Sequence, residues 1–143
     1  MGRFPSADHL ASWAGLCPGN NESGGRQRSG RTRKGNAWLR AALVASAQAA
    51  VRTKGSYLAA QYHRIAARRG AKKAIIAVAH TLLTISYHVI ARREPYRELG
   101  ADYFDRQKPT VTANRLVRRL RRLGFAVTIE AQQSQGEALA AAT

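Results

Sequence analysis

The sequence predicts a mainly α fold: a compact helical bundle with a long basic loop near the N-terminus and one C-terminal strand. Three observations support this prediction. Apolar residues recur at intervals of three and four over most of the chain. Residues 17–35 are rich in Gly, Asn, Ser and Arg without periodicity, and the stretch FAVTIEA alternates apolar and polar side chains. With 143 residues, of which 45% are hydrophobic, the chain can bury one core.

Four helices are predicted in the first two thirds of the chain, at residues 6–15, 36–53, 56–69 and 71–92. Ser6 and Asn36 are the expected N-caps of the first two, and Gly70 separates the third from the fourth. We expect the fourth to be the central buried helix, because an apolar stripe at 3,4,3,4 spacing runs along it. The stripe comprises Ile75, Val78, Leu82, Ile85 and Val89, and it is widened by Ile76, Leu83 and Ile90.

A basic amphipathic helix is predicted after the connection at residues 96–109. Thr110 is its expected N-cap and Gly124 its C-terminal cap. We expect its leucines to face inward and its arginines to face solvent and bind backbone phosphate. The leucines are Leu116, Leu120 and Leu123, and the arginines proposed as nucleic-acid ligands are Arg118, Arg119, Arg121 and Arg122.

The predicted strand covers residues 125–131. A single strand cannot satisfy its own backbone hydrogen bonds, so it must pair with a segment that the sequence does not reveal. We expect residues 1–131 to form one domain, truncated at its N-terminal edge. Residues 132–143 are low in complexity and are expected to be a disordered tail.

The charge of the chain points to nucleic acid. There are 24 Lys and Arg against 8 Asp and Glu, a formal charge of +16, and no acidic residue lies between Glu22 and Glu94. Cations placed on phosphates release counterions and add affinity. One alternative is a generic basic surface. Another is an anionic membrane, but we expect no span, because no stretch stands out as apolar over the roughly 20 residues required.

The first residues lack the pattern of a signal peptide, and Cys17 is the single cysteine. One cysteine excludes an internal disulfide and fits a reducing compartment. These features predict a cytoplasmic, nucleoid-associated protein.

Ser23, in the stretch NNESGGRQRSGRTRKGN, is the candidate nucleophile. Gly24 and Gly25 let the backbone approach a phosphate closely, but the stretch supplies no evident base to take the hydroxyl proton. From the residues alone, a flexible RNA-binding loop is as good an interpretation as a catalytic loop. The cations proposed to bind nucleic acid here are Arg26, Arg28, Arg31, Arg33, Lys34 and Arg40.

No metal site is predicted in this chain. The four histidines and Cys17 show no metal-ligand spacing. Asp102 and Asp105 share a helical spacing, but helix capping and salt bridges to nearby arginines are the better interpretation.

Three stretches together resemble a known family. RFPSADHLASWAGLCPGNNESGGRQRSGRTRKGNAWLRAALV, YLAAQYHRIAARRGAKKAIIAVAHTLLTISYHVI and YRELGADYFDR are similar to the C-terminal domain of the DEDD insertion-sequence transposases, the serine recombinases guided by a bridge RNA. The resemblance covers roughly residues 3–130. It implies that Ser23 is the nucleophile that attaches to DNA. It also implies a RuvC-like domain whose four acidic residues hold magnesium.

The RuvC-like domain and the helix-hairpin-helix segment of that family have no counterpart in these 143 residues. We therefore expect a transposase fragment that takes part in DNA transposition and recombination and binds DNA and, as a further expectation, guide RNA. It should hold no cofactor and be inactive unless a RuvC-like domain in trans, or a homo-oligomer, completes it. The alternative is a non-catalytic nucleic-acid-binding module or regulator derived from a transposase.

Overall fold

The computed structural model describes residues 2–19 and 21–130, with only the backbone of Asn21, Gln27 and Arg28. The mainly helical prediction is confirmed. Compact packing divides the chain into two units at the boundary between Phe104 and Asp105. The single domain expected over residues 1–131 stays a prediction, and the tail at 132–143 lies outside the described residues. The elements are α1 (Ala7–Trp13), β1 (Asn21–Ser23), β2 (Arg26–Ser29), α2 (Ala37–Ala50), α3 (Tyr57–Arg69), α4 (Ala71–Arg92), α5 (Tyr103–Gln107) and α6 (Pro109–Arg122).

Side-chain caps fix where the first three helices begin. Ser6 Oγ accepts a hydrogen bond from the N–H of His9, and Asn36 Oδ1 accepts one from the N–H of Leu39 at 2.8 Å. Ser56 caps α3 in the same way. These oxygens satisfy N–H groups that have no partner in the first helical turn. The predicted caps at Ser6 and Asn36 are therefore confirmed.

Helix α4 is the centre of the first unit, as predicted. Helices α1, α2 and α3 all pack against it. Its buried residues are Ala74, Val78, Ala79 and Leu83. The two alanines among them let neighbouring helices approach closely. Ala47 of α2 and Leu10 of α1 belong to the same core cluster as Val78, Ala79 and Leu83. The predicted stripe does not reach the end of the helix, because Ile90 is 58% exposed.

The expectation that no segment could span a membrane needs correction. Helix α4 is long and apolar enough to do so by length and composition. Between Lys73 and Arg92 the helix contains no Asp, Glu, Lys or Arg. Its remaining polar residues lower the mean hydropathy too little to exclude a membrane-spanning helix by composition. In this structure one face of α4 packs against three helices, and 22% of its most apolar 18-residue window is buried.

The predicted N-cap at Thr110 is wrong, because Lys108 is the N-cap of α6 and the helix begins at Pro109, two residues earlier than that cap implies. Proline fits the first turn, since it has no N–H to leave unsatisfied. Its C-terminus closes as expected around Gly124, whose φ is +90°. The N–H of Phe125 donates to the carbonyl of Leu120, and that of Gly124 donates to Arg121. This pair of bonds is the Schellman motif.

Two predictions for this second unit are wrong. The leucines expected to face inward are between 40% and 66% exposed, because helical spacing specifies an apolar stripe but not a neighbour that covers it. Residues 125–130 have no regular secondary structure. The backbone that was predicted as a strand instead caps α6 through Phe125, and the carbonyl of Val127 accepts a hydrogen bond from Arg121.

Candidate nucleic-acid interface around Ser23

The basic segment predicted as an irregular loop is a β-hairpin. Strands β1 and β2 pair antiparallel, with Ser23 opposite Arg26. Gly24 and Gly25 form the two-residue turn, and their φ angles are +60° and +71°. Two consecutive positive φ angles are what a type I′ hairpin turn requires, and glycine adopts them without strain. Ser23 is therefore the last strand residue before the tip, and its side chain is exposed.

The ladder continues from the hairpin towards the helices. The N–H of Gly19 donates to the carbonyl of Arg31 at 3.0 Å, and Pro18 bridges Thr32. One residue, Arg28, is extra on β2, because Glu22 pairs with Gln27 while Asn21 pairs with Ser29. Such a bulge increases the local twist of the ribbon. Residues 18–19 and 21–32 thus belong to one antiparallel ribbon.

The foot of the ribbon is fixed to α1 and α2 by backbone contacts. Gly15 has a φ of +72°, and a Cβ atom there would lie 2.8 Å from the N of Gly35. The N–H of Asn36 donates to the carbonyl of Trp13 at 3.3 Å. Arg40 Nη1 donates to the carbonyl of Gly15 at 2.8 Å. These contacts tie both ends of the ribbon to the helical core.

The register of the ribbon determines which charged residues lie on the same side as Ser23. Successive strand residues point to opposite faces, so Glu22 and Ser23 lie on different sides of β1. Arg26, the cross-strand partner of Ser23, lies on the same side. The register therefore places Arg26 on the same side of the ribbon as Ser23 and Glu22 on the opposite side.

The proposed cations of this segment do not all have the same environment. Arg26, Arg31, Arg33 and Lys34 are exposed. Arg40 is half-buried, and its bond to Gly15 gives it a role in holding the foot of the ribbon. The side chain of Arg28 lies outside the described residues. The four α6 arginines are exposed in the second unit, and Arg121 also donates to the carbonyl of Val127.

Comparison with known proteins gives two kinds of match. The family described as Transposase IS116/IS110/IS902 matches residues 1–63, a range that contains the whole ribbon and its foot. The pilin gene-inverting proteins of Moraxella lacunata and Moraxella bovis are each 39% identical over 98 residues. The chain is thus similar to a transposase family over its first 63 residues and to gene-inverting proteins over 98 residues. No solved structure matches the chain.

The aligned region is 65% of this chain and 30% of each pilin gene-inverting protein. The chain thus spans about a third of the length of the curated relatives it matches.

The described residues of this chain do not fit a magnesium site. Within residues 2–19 and 21–130, no group of three or more His, Cys, Asp or Glu side chains could hold a metal ion. Asp105 instead accepts a hydrogen bond from Thr112 at 3.1 Å and pairs with Arg115 at 3.7 Å, as the capping interpretation expects. No chemical step is therefore assigned to a metal bound by these residues.

Cys17 does not compete with Ser23 as a nucleophile. Burial, with a smaller contribution from the negative charge of Asp8, raises the pKa of the Cys17 thiol. A raised pKa keeps the thiol protonated at neutral pH, and the thiolate is the reactive form.

Sequence reasoning missed two features of this unit. Glu98 bonds to the first turn of α3, since its Oε1 accepts from the N–H of Tyr57 at 2.7 Å. No local pattern reveals that contact, because 41 residues separate the partners. The other is Trp38, which is 88% exposed at the start of α2. The sequence could have revealed this exposure, because Trp38 lies two residues after the Asn36 cap and one residue before Leu39, which was predicted to face inward.

Proposed function

We propose that this chain is the serine-nucleophile domain of a DNA transposase and that Ser23 forms a covalent bond to a DNA phosphate during recombination. The observation that carries the proposal is the position of Ser23, exposed at the tip of a ribbon whose foot is fixed. A fixed foot limits the positions that the tip can take, and such orientation contributes to catalysis. The family match over residues 1–63 includes this ribbon.

The proposed step is a phosphodiester exchange. The Oγ of Ser23 forms a bond to phosphorus, the bond from phosphorus to one sugar oxygen breaks, and that strand end leaves as a hydroxyl after it is protonated. The proton of Ser23 passes to a base. Arg26 faces the same side of the ribbon as Ser23 and stabilises the charge on the non-bridging oxygens.

In this proposal the base and the metal-binding carboxylates come from a RuvC-like domain, as the resemblance implies, either in trans or within a homo-oligomer. DNA is the substrate and guide RNA a further partner. The exposed cations Arg31, Arg33 and Lys34 bind the nucleic-acid backbone along the ribbon. The reaction takes place in the cytoplasm, where the DNA of an insertion sequence is accessible.

The decisive experiment is denaturing electrophoresis of labelled DNA after incubation with the protein. We expect no covalent adduct with the chain alone. With a RuvC-like domain, guide RNA and magnesium, we expect an adduct that Ser23→Ala abolishes. Ser29→Ala is the matched control, because Ser29 lies on the other strand of the same hairpin, and it should leave the adduct in place.

An adduct that persists in Ser23→Ala would contradict the assignment of the nucleophile. An adduct formed by the chain alone would contradict the need for a second domain. If DNA binds tightly but no combination yields an adduct, the alternative of a non-catalytic binding module or regulator is favoured.

A further inference from the structure

We propose that Trp38 is a stacking platform for an unpaired base of the nucleic acid that the ribbon binds. The inference rests on the proposed function only in taking nucleic acid as the ligand. It adds a site for a base to the sites for phosphates. None of the cations considered above supplies a surface of this kind.

The exposure of Trp38 is the first observation. Its side chain is 88% exposed, although it is among the largest apolar side chains. The chain has two tryptophans, and both lie at the foot of the ribbon. The other, Trp13, is 50% exposed, and its carbonyl accepts the hydrogen bond from Asn36. Tryptophan has an apolar body that gains from contact with a ligand.

The local structure holds Trp38 in place without covering it. Asn36 caps the helix turn on which Trp38 lies, and Leu39 packs against the core cluster. Arg40 is bonded to the carbonyl of Gly15. Since the residues on both sides are fixed, only the two side-chain torsions of Trp38 remain to be ordered on binding. The backbone is already arranged to present the ring.

The charge around Trp38 favours nucleic acid over a protein partner. The exposed cations Arg31, Arg33 and Lys34 lie four to seven residues before it in the chain, and there is no acidic residue between Glu22 and Glu94. Aromatic side chains next to cations bind single strands, because the ring stacks on a base while the cations contact the phosphates. Bases in a duplex already stack on one another, so the ring selects a base that is unpaired.

The platform and the nucleophile are separate sites. Ser23 lies at the tip of the ribbon, beside the Gly24–Gly25 turn, whereas Trp38 lies at its foot, two residues after the Asn36 that bonds to Trp13. A base on Trp38 is therefore distant from the phosphate at Ser23, and removing the ring should change binding without changing the nucleophile.

The test is fluorescence-anisotropy titration of the full chain with three labelled probes: a single-stranded DNA, the same strand with abasic sites, and the corresponding duplex. Trp38→Ala should weaken binding of the normal single strand roughly 5- to 150-fold, the range for loss of one stacked base. Trp38→Phe keeps an aromatic face and should restore most of the affinity. Trp38→Ala should leave the slope of log affinity against log salt concentration unchanged, because tryptophan carries no charge. Arg33→Gln should reduce that slope by the contribution of about one phosphate contact.

The abasic probe separates stacking from structural damage. Without bases to stack, wild type and Trp38→Ala should bind the abasic strand equally. Equal weakening on all three probes would overturn the proposal, as would an unchanged affinity for the single strand. If Trp38→Ala leaves the affinity for the single strand unchanged but abolishes self-association in sedimentation experiments, the surface around Trp38 is a contact between protein chains. If the wild-type chain binds none of the probes, it is the proposed function that fails.

Discussion

At the scale of single residues, Gly24 and Gly25 carried a hairpin signal that the prediction of an irregular loop missed. A Gly-Gly pair between short strands is typical of a two-residue hairpin, yet the surrounding Ser, Asn and Arg residues do not alternate in hydrophobicity. The ribbon is polar on both sides, so its formation depends on backbone hydrogen bonds between its strands and on the contacts that fix its foot to the helices. Gly15 and Gly35 make that foot by direct backbone approach, and no periodicity in the sequence encodes such a contact between distant glycines.

Glu98 supplies a prediction at the same scale. Burial acts to raise its pKa, but the hydrogen bonds donated by the N–H groups of Tyr57 and Gly100 and by the Tyr96 hydroxyl outweigh it. With a smaller contribution from the N–H of Leu99, they lower the pKa of Glu98 from its ordinary 4.5. A lowered pKa means that Glu98 stabilises the folded chain above about pH 4.5, and that this contribution is lost as the pH falls through the lowered value.

Glu98→Gln should therefore reduce the free energy of unfolding at pH 7 by about 0.3–1 kcal/mol, the typical contribution of a carboxylate at a helix N-terminus. The difference from wild type should shrink towards pH 3, as urea unfolding at both pH values will measure. Glu94→Gln, an exposed carboxylate of the same connection, is the control. A difference that stays constant with pH would mean that shape, rather than charge, explains the effect.

At the scale of elements, helix predictions succeeded where caps and periodicity agree. Ser6, Asn36 and Ser56 mark starts that the structure reproduces, and Gly70 separates α3 from α4. Element predictions failed at residues 17–35, where the predicted loop contains a hairpin, and at residues 110–130, where the pattern requires a neighbour. The stripe of Leu116, Leu120 and Leu123 and the alternation after Gly124 each predict a buried face, but the identity of the covering element is not a local property of the sequence.

Helix α4 provides a prediction about the core. Leu83 is 5% exposed and belongs to the buried cluster, whereas Ile90 on the same helix is 58% exposed. Leu83→Ala should lower the free energy of unfolding by roughly 2–5 kcal/mol, because it removes packed methyl groups and leaves a cavity. Ile90→Ala should cost about 1 kcal/mol or less, as is usual for exposed positions.

Chemical denaturation of the two variants will measure both effects. Equal destabilisation by Ile90→Ala would show that the end of α4 is covered in solution, and an unaffected Leu83→Ala would show that α4 is not the core helix.

At the scale of the whole molecule, the charge of +16 predicts how binding responds to salt. Each phosphate that a protein cation neutralises contributes about 0.9 to the slope of log affinity against log salt concentration. Replacing Arg118, Arg119, Arg121 and Arg122 of α6 together by Gln should flatten that slope by up to about 4 units if all four bind phosphate. Gln keeps the length and helix propensity of the side chain, so the helix itself should remain.

The matched control is Lys72→Gln with Lys73→Gln, which removes two exposed cations from the first turn of α4. If α6 is a specific phosphate-binding surface, its change in slope per charge should exceed that of the control, in titrations of duplex DNA at several salt concentrations. Equal changes per charge would mean that the α6 arginines act only through the net charge of the molecule. An unchanged slope in the α6 variant would contradict phosphate binding by this helix, and the ribbon cations Arg26, Arg31, Arg33 and Lys34 would then account for the binding.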